Sequence, residues 1–264
     1  MKQILISSTL LWNSSLEDMF RRIYEQNLGG IEMWAQHFYC NHYDRKEYRK
    51  LSETYPLQHV VHSCSWDLNL CSMNEGIRRA SIQEVVGSMK LAKDIGATEV
   101  TVHPGHMTMA CWRKESIQHM QESLKIIADA SYKMAMPVSL ELMEKKHKEF
   151  VTDIQTMQEI TGDLFDFFSY TLDIAHCDST TEALYILQHL RHISKLHISN
   201  RKGSQYHTLL TDGDYDFTAL LPELYASELP MVVEGYDPNG GVDAFYEDVQ
   251  FLKSQEEAVQ YQIS

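Results

Sequence analysis

The protein has 264 residues, of which 44% are hydrophobic and 23% charged, and its formal net charge at pH 7 is −14. This negative charge argues against nonspecific binding to nucleic acid or to an anionic membrane, and no apolar run approaches the length of a membrane span. Five scattered cysteines without a CxxC pair disfavour a disulfide framework and indicate a reducing, cytoplasmic setting. Because one α/β barrel takes about 250 residues, we expect a single domain over residues 1–264.

Short apolar runs typical of strands alternate along the chain with longer helical runs. The predicted strands are 2–7, 30–34, 58–63, 98–103, 137–142, 169–174, 194–199 and 230–235. The predicted helices are 15–28, 44–54, 74–95, 113–135, 150–161, 178–191, 216–227 and 240–259. Eight alternations predict parallel strands with helical crossovers, and eight such strands close a (β/α)8 TIM barrel. An open doubly wound sheet is the alternative, but no Gly-rich phosphate loop follows the first strand.

The last four predicted strands each end in one side chain of the kind that binds metals. These residues are Glu141, Asp173, His197 and Glu234. An ionised carboxylate on a buried strand is costly unless another charge compensates it, and barrel enzymes carry their sites at the C-terminal strand ends. We therefore expect these four side chains to converge on a divalent metal ion. Three carboxylates and one imidazole suit Mn²⁺, Co²⁺ or Mg²⁺ better than a structural zinc.

Other polar residues lie near the strand ends, and they are Glu32, His62, His103, His176 and His207. Among 13 histidines some fall near strand ends by chance, and His62 or His103 taken alone would more often be structural. If His62, His103 and His207 are additional ligands, their nitrogen atoms would favour zinc or allow a second metal ion to bind. The remaining histidines are predicted to be surface or loop residues: His37, His42, His59, His106, His119, His147, His189 and His192.

Three short segments carry a family resemblance. They are His62-Ser-Cys-Ser-Trp-Asp-Leu-Asn-Leu70, Ile77-Arg-Arg-Ala-Ser81 and Val102-His-Pro-Gly105. With them the chain resembles the xylose isomerase-like TIM barrel superfamily, in its sugar phosphate isomerase/epimerase branch. The resemblance implies metal ligands at Glu141, Asp173, His197 and Glu234, and a substrate-binding histidine at His176.

The reaction that this resemblance implies is the isomerisation or epimerisation of a ketose, a sugar phosphate or a related polyol. In it a metal-stabilised enediolate forms, with Glu141 and Glu234 as general base and acid. A dehydratase would share the same enediolate. Further expected substrate contacts are Glu32, Trp12, Trp66 and, for a phosphate, Arg201. The expected partner is a small-molecule sugar, and barrels of this type often form homodimers or larger homo-oligomers.

Two alternative functions follow from the same residues. The chain is also similar to endonuclease IV, a zinc-dependent phosphodiesterase of abasic DNA, whose three-zinc site would map onto His62, His103, Glu141, Asp173, His176, His197, His207 and Glu234. One ligand of that set is missing, since Gln205 stands where that family has Asp. The second alternative is a barrel that binds a sugar without turnover, although all the core ligands are present.

Overall fold

A computed structural model describes the backbone of residues 1–263 and the side chains of residues 1–256. Eight parallel strands form a closed barrel with helices around it, which confirms the predicted fold class. The barrel strands are β1 (Ile4–Ser7), β2 (Gly30–Trp34), β3 (Gln58–His62), β4 (Val100–Val102), β5 (Val138–Glu141), β6 (Ser169–Asp173), β7 (Ile193–Ile198) and, after a hairpin described below, β10 (Met231–Val233). Their order around the barrel is β1-β10-β7-β6-β5-β4-β3-β2.

All eight predicted helices are present, within a few residues of their expected ends. They are α1 (Leu16–Glu25), α3 (Arg45–Thr54), α4 (Glu75–Ile95), α5 (Arg113–Met134), α6 (Ile154–Thr161), α7 (Thr180–His189), α8 (Phe217–Ala226) and α9 (Asp243–Ile263). Local capping explains their ends: Ser15 accepts a hydrogen bond from the Asp18 N–H, and Gly96 ends α4 at a φ of +81°. None of the described helices combines the length and apolar character that crossing a membrane requires.

Two elements of the structure lie outside the sequence prediction. The short helix α2 (Ala35–Cys40) follows β2 directly, and its N-cap residue Trp34 makes no side-chain capping bond. The antiparallel hairpin of β8 (Asn200–Lys202) and β9 (Gln205–Thr208) stands above the barrel between β7 and α8. Both elements are too short to show the periodicity from which longer helices and strands are predicted.

Two of the histidines predicted to be surface or loop residues are buried, and this prediction was wrong for them. His59 lies in β3 with its Nδ1 atom 3.0 Å from the Tyr48 hydroxyl of α3. His37 lies in α2, stacked on Trp12 with 4.4 Å between the ring centroids. The strands of a parallel barrel are covered by helices on the outside as well, so an outward-facing residue of a strand can be buried too.

A buried ion pair connects β7 with the start of β4 inside the structure. Lys195 and Glu99 form a salt bridge, and Ser194 Oγ donates a second hydrogen bond of 2.9 Å to the same Glu99 oxygen. Lys195 and His197 are two residues apart in β7, so both side chains lie on the same face of the strand. The ammonium group is 2% exposed and therefore depends on this carboxylate for compensation.

We expect Lys195→Ala to lower the free energy of unfolding by about 3–5 kcal/mol, because it leaves the Glu99 carboxylate without its counter-charge in a largely buried position. Lys133→Ala is the control: Lys133 pairs with Asp129 on the surface at 70% exposure, and its loss should change stability by less than about 1 kcal/mol. Urea unfolding of both variants measures the difference. Equal stability of the two variants would contradict the structural role of the buried pair.

Candidate metal centre and active site

The four predicted ligands lie side by side at the C-terminal mouth of the barrel. Glu141 ends β5, Asp173 ends β6, His197 lies near the end of β7, and Glu234 follows β10 directly. These four strands are consecutive neighbours around the barrel, and Asp173 pairs in register with His197. The closed parallel sheet therefore brings together residues that are up to about ninety positions apart in the sequence.

Each of these residues offers one ligand atom, and the four atoms all lie within 4.8 Å of one another. Around His197 Nδ1 lie Glu141 Oε2 at 3.6 Å, Asp173 Oδ2 at 4.0 Å and Glu234 Oε2 at 2.7 Å. All four atoms are buried, and within the described part of the chain none of them makes an aligned hydrogen bond. Buried polar atoms normally have partners, so a whole set of unpartnered ligand atoms fits a bound cation. The residues present therefore fit a divalent metal ion.

Two further groups of ligand-type residues adjoin the first. His62 and His103 form a group with Glu141, while His176 and His207 form another with Asp173, each with its ligand atoms within 4.8 Å. The Nε2 atoms of His62 and His103 lie 3.0 Å apart and 3.5 and 3.3 Å from Glu141 Oε2. The structure thus brings His62, His103 and His207 to the edge of the same cluster.

The three sequence segments with the family resemblance contact one another beneath this cluster. Asn69 accepts hydrogen bonds from the Cys71 and His106 N–H groups, at 3.0 and 3.2 Å, and donates to the His106 carbonyl oxygen at 2.9 Å. A Cβ atom at Gly105 would lie 2.5 Å from Asn69 Oδ1, so only glycine fits there. Ser81 accepts a hydrogen bond from the Asn69 N–H. These contacts fix the loops that follow His62 and His103.

Glu32 lies behind His197 rather than in the open part of the site. The Oε2 atom of Glu32 is 2.9 Å from His197 Nε2, although the ring N–H is not aligned for a hydrogen bond, and Oε1 accepts one of 2.7 Å from the Thr101 hydroxyl. Glu32 is fully buried, and its expected role as a substrate contact stays a prediction. Carboxylates in this position orient metal-binding histidines and raise their basicity.

We expect Glu32→Gln to weaken divalent-metal affinity about 10–100-fold, because the amide removes the negative charge that faces His197 Nε2. Asp248→Asn is the matched control: Asp248 is another buried carboxylate, and it accepts a 2.8 Å hydrogen bond from the Leu210 N–H. Competition with a coloured chelator gives the affinity of each variant. If the two variants bind metal equally well, Glu32 does not support the centre.

The charges of the cluster shift the pKa values of its members in opposite directions. Burial raises the pKa of Asp173 to about 7, although nearby His207 opposes this rise. Burial alone would raise the pKa of Glu234, but His197 outweighs it and lowers that pKa to about 2. Burial would lower the pKa of His103, yet Glu141 raises it to about 9. Protons on the imidazoles thus compensate the carboxylates, as a bound divalent cation would in their place.

His176 and Glu144 form a polar edge of the site. His176 Nδ1 lies 2.8 Å from the Leu142 carbonyl oxygen, which favours the tautomer that donates there and leaves Nε2 free to accept. Glu144 Oε2 is 3.6 Å from His176 Nε2, and within the described residues this buried oxygen has no hydrogen-bond partner. The sequence analysis did not assign Glu144, whose only signal was its position three residues after Glu141.

Arg201 is engaged within the fold. Its Nη1 atom donates a 2.8 Å hydrogen bond to the Cys177 carbonyl oxygen, while Nε and Nη2 donate to the Gly203 carbonyl oxygen. The guanidinium group also lies 4.9 Å from the centre of the Tyr206 ring. These contacts tie the β8–β9 hairpin to the loop after β6. The expected use of Arg201 as a phosphate ligand would require it to give up these bonds.

The β8–β9 hairpin carries His207 into the cluster. His207 has a φ of +57°, a left-handed conformation that is uncommon for a residue with a side chain. Its Nδ1 atom lies 3.1 Å from Ser199 Oγ and 3.8 Å from Asp173 Oδ2. Gln205 is exposed on the same hairpin and belongs to none of the three ligand groups found among the described residues. Unfavourable backbone conformations of this kind cluster at functional sites.

The four tryptophans occupy three different settings. Trp34 is buried and stacks on His62, with 3.9 Å between the ring centroids. Trp12 stacks on Trp66 at 5.4 Å, and these two rings line a cavity at the barrel mouth. Trp112 lies in a single 3-10 turn before α5 and is exposed. Trp12 and Trp66 therefore lie at the barrel mouth, and their expected role as substrate contacts stays a prediction.

Comparison with known proteins gives the same fold. A crystal structure of a D-tagatose 3-epimerase-like protein is similar with a TM-score of 0.81 and 21% identity, covering 99% of each chain. The structure of an L-ribulose 3-epimerase is similar with a TM-score of 0.75 and 15% identity, covering 98% of this chain and 96% of that one. A probable endonuclease 4 of Acholeplasma laidlawii is 23% identical over 199 residues, 67% of each chain.

The family match covers most of the chain. The xylose isomerase-like TIM barrel family matches residues 20–255, a range that begins within α1 and ends in α9 and contains all the candidate ligands. At these identities the similarity to the two epimerase structures shows the fold alone. From the matched range and the closed eight-stranded barrel, we conclude that the chain belongs to the xylose isomerase-like TIM barrel family.

Proposed function

We propose that the protein is a divalent-metal-dependent isomerase or epimerase of a ketose, a sugar phosphate or a polyol-derived substrate. The observation that carries this proposal is the convergence of four buried ligand-type side chains, with ligand atoms within 4.8 Å of one another and no aligned hydrogen bond between them within the described part of the chain. Proteins of similar fold include sugar 3-epimerases, and this supports a sugar substrate.

The ligand set of the proposed centre is Glu141, Asp173, His197 and Glu234. Three carboxylates and one imidazole are hard ligands, which favours Mn²⁺, Co²⁺ or Mg²⁺, while the adjoining histidines allow Zn²⁺. Such an ion supplies Lewis acidity toward the carbonyl and hydroxyl oxygens of a sugar, which acidifies the C–H bond between them. Behind this centre Glu32 faces His197 Nε2 at 2.9 Å, and the Thr101 hydroxyl donates a hydrogen bond to Glu32.

The proton transfers are assigned to Glu141 and Glu234. One carboxylate removes the proton from the carbon next to the carbonyl group, and the other returns a proton to the same carbon or to its neighbour. The bond electrons pass into an enediolate and then back into a new C–H bond, so no oxidant or reductant is required. His176 Nε2 accepts a hydrogen bond from a substrate hydroxyl, and Trp12 and Trp66 restrict the access of water.

Hydrogen exchange with solvent tests this proposal directly. The protein is loaded in turn with Mn²⁺, Co²⁺, Mg²⁺ and Zn²⁺ and incubated in D2O with free ketoses and their phosphate esters. NMR then follows deuterium at the carbon next to the carbonyl group. We expect deuterium in both substrate and product for at least one sugar. No incorporation with any metal and any sugar of the panel would refute the proposed reaction.

A second candidate function is supported by a separate observation. The three ligand groups together contain all eight positions that map onto the three-zinc site of endonuclease IV. Against this function are the net charge of −14 and the exposed Gln205 in place of an acidic ligand. Cleavage of an abasic-site duplex by the zinc-loaded protein tests it. Cleavage without deuterium exchange into any sugar would replace the first proposal with this one.

A further inference from the structure

Two cavities open next to each other at the barrel mouth. The first has a volume of about 240 Å³ and reaches Glu234 and His207 of the candidate centre. The second has a volume of about 370 Å³ and is lined by Trp12 and Trp66, among other residues. Tyr236 and Asp237 line both cavities, so the two adjoin. A ligand that reacts beside Glu234 can therefore extend into the second cavity.

The second cavity presents a fixed aromatic surface. Trp66 and Tyr236 are 43% and 44% exposed, which is unusual for such large apolar side chains. Trp66 stacks on Trp12 at an interplanar angle of 23°, and Trp12 stacks on the buried His37 at 14°. His37 Nε2 lies 2.8 Å from the Trp12 carbonyl oxygen. This contact fixes the stack of the His37, Trp12 and Trp66 rings. The exposed Trp66 ring is thus held in place before any ligand arrives.

The lining of this cavity disfavours anionic groups. Neither cavity is lined by Lys or Arg within the described part of the chain, so this side of the mouth offers neither of these side chains to a phosphate. The one acidic residue of the second cavity, Asp237, accepts hydrogen bonds from the N–H groups of Asn239, Asp243 and Ala244. Its carboxylate is therefore occupied in fixing the local turn. The neutral polar residues of the lining are Thr9 and Asn13. The Thr9 hydroxyl donates to the Gly235 carbonyl oxygen and the Asn13 amide to the Gly240 carbonyl oxygen, so the Asn13 side-chain oxygen is the group that faces a ligand's hydroxyls.

We propose that this aromatic cavity is a subsite for the second ring of an uncharged glycoside that keeps a carbonyl group on its reacting ring. The reacting ring lies beside Glu141 and Glu234, and the second ring places its C–H face against Trp66 and Tyr236. Flat aromatic faces with a few neutral hydrogen-bonding groups suit a sugar or phenyl ring, which is apolar on its faces and polar at its edges. The assignment of the reacting ring rests on the proposed function, whereas the stacking subsite does not require turnover.

Binding of two probes that differ only in the second ring tests the subsite. Titration calorimetry on the full-length metal-loaded protein compares methyl β-D-glucopyranoside with phenyl β-D-glucopyranoside. We expect the phenyl glucoside to bind about tenfold more tightly, as one added aromatic contact would give. Trp66→Ala should abolish this preference, and Trp66→Phe, which keeps an aromatic face, should retain most of it. Trp112→Ala is the matched control, because Trp112 is 42% exposed but lines neither cavity.

Equal affinities of the wild-type protein for the two probes would overturn the subsite, as would a preference that survives Trp66→Ala. Loss of the preference in Trp112→Ala would also overturn it, because the preference would then not depend specifically on the residues that line the cavity. Deuterium exchange with free ketoses is measured on the same preparation. Exchange without any preference for the phenyl glucoside refutes the subsite alone. A preference that depends on Trp66, without exchange into any sugar, supports the subsite and refutes the proposed reaction.

Discussion

Replacement of Glu141 or Glu234 by Gln is expected to slow solvent deuterium exchange into the substrate about 10²–10⁴-fold, the range that one positioned general acid or base contributes. Glutamine keeps the size of the side chain but neither takes up nor releases a proton at neutral pH. Both carboxylates are buried in the cluster, with Glu234 Oε2 2.7 Å from His197 Nδ1. The exchange rate and kcat/KM for each variant, measured at saturating metal, give the effect.

The same substitutions remove a proposed metal ligand, so ligand loss must be separated from acid–base loss. Asp173→Asn serves this purpose, because Asp173 belongs to the ligand set but has no proton-transfer role in the proposed reaction. Glu159→Gln, which changes a surface carboxylate paired with Arg113, should leave the rate within about twofold. If rates normalised to bound metal equal the wild-type rate in both Glu141→Gln and Glu234→Gln, these residues are ligands only.

The strand ends were predictable because two simple rules act together on them. A strand buried on both faces reads as an apolar run, so one carboxylate at its end is conspicuous in the sequence. The parallel strands of one barrel all end at the same mouth. Ligand-type residues at the ends of neighbouring strands, such as Glu141 and His197, are therefore expected to lie close together. No distant contact has to be known for this inference, and the helix ends follow from equally local capping residues.

What could not be predicted depends on contacts between distant parts of the chain. Nothing in the sequence near Trp12 indicates that His37 packs beneath it or that Trp66 stacks on it. The β8–β9 hairpin has strands of three and four residues, too short for a periodic signal, yet it determines where His207 lies. Likewise, Arg201 donates its hydrogen bonds to the backbone carbonyl oxygens of Cys177 and Gly203. Every residue has such a carbonyl group, so the sequence of side chains does not indicate which of them accept from Arg201.

Removal of the metal is expected to lower the melting temperature by about 10 °C. Without a cation, three buried carboxylates within 4.8 Å of one another are compensated only by protonated imidazoles. An ion present at a thousand times its dissociation constant stabilises the native state by about 4 kcal/mol, and for a domain of this size about 1 kcal/mol shifts the melting temperature by 2–4 °C. Calorimetry before and after dialysis against a chelator, with elemental analysis of both samples, measures the effect.

Asp173→Asn is the control for the chelation experiment, because its weakened centre should show a much smaller shift of the melting temperature between the two conditions.

The number of metal ions bound per chain separates the two candidate functions. About one Mn, Co or Mg per chain agrees with the centre of Glu141, Asp173, His197 and Glu234. Two or three Zn per chain would mean that His62, His103 and His207 are ligands as well, which favours phosphodiester cleavage. No bound metal after reconstitution, together with an unchanged melting temperature, would refute the metal centre.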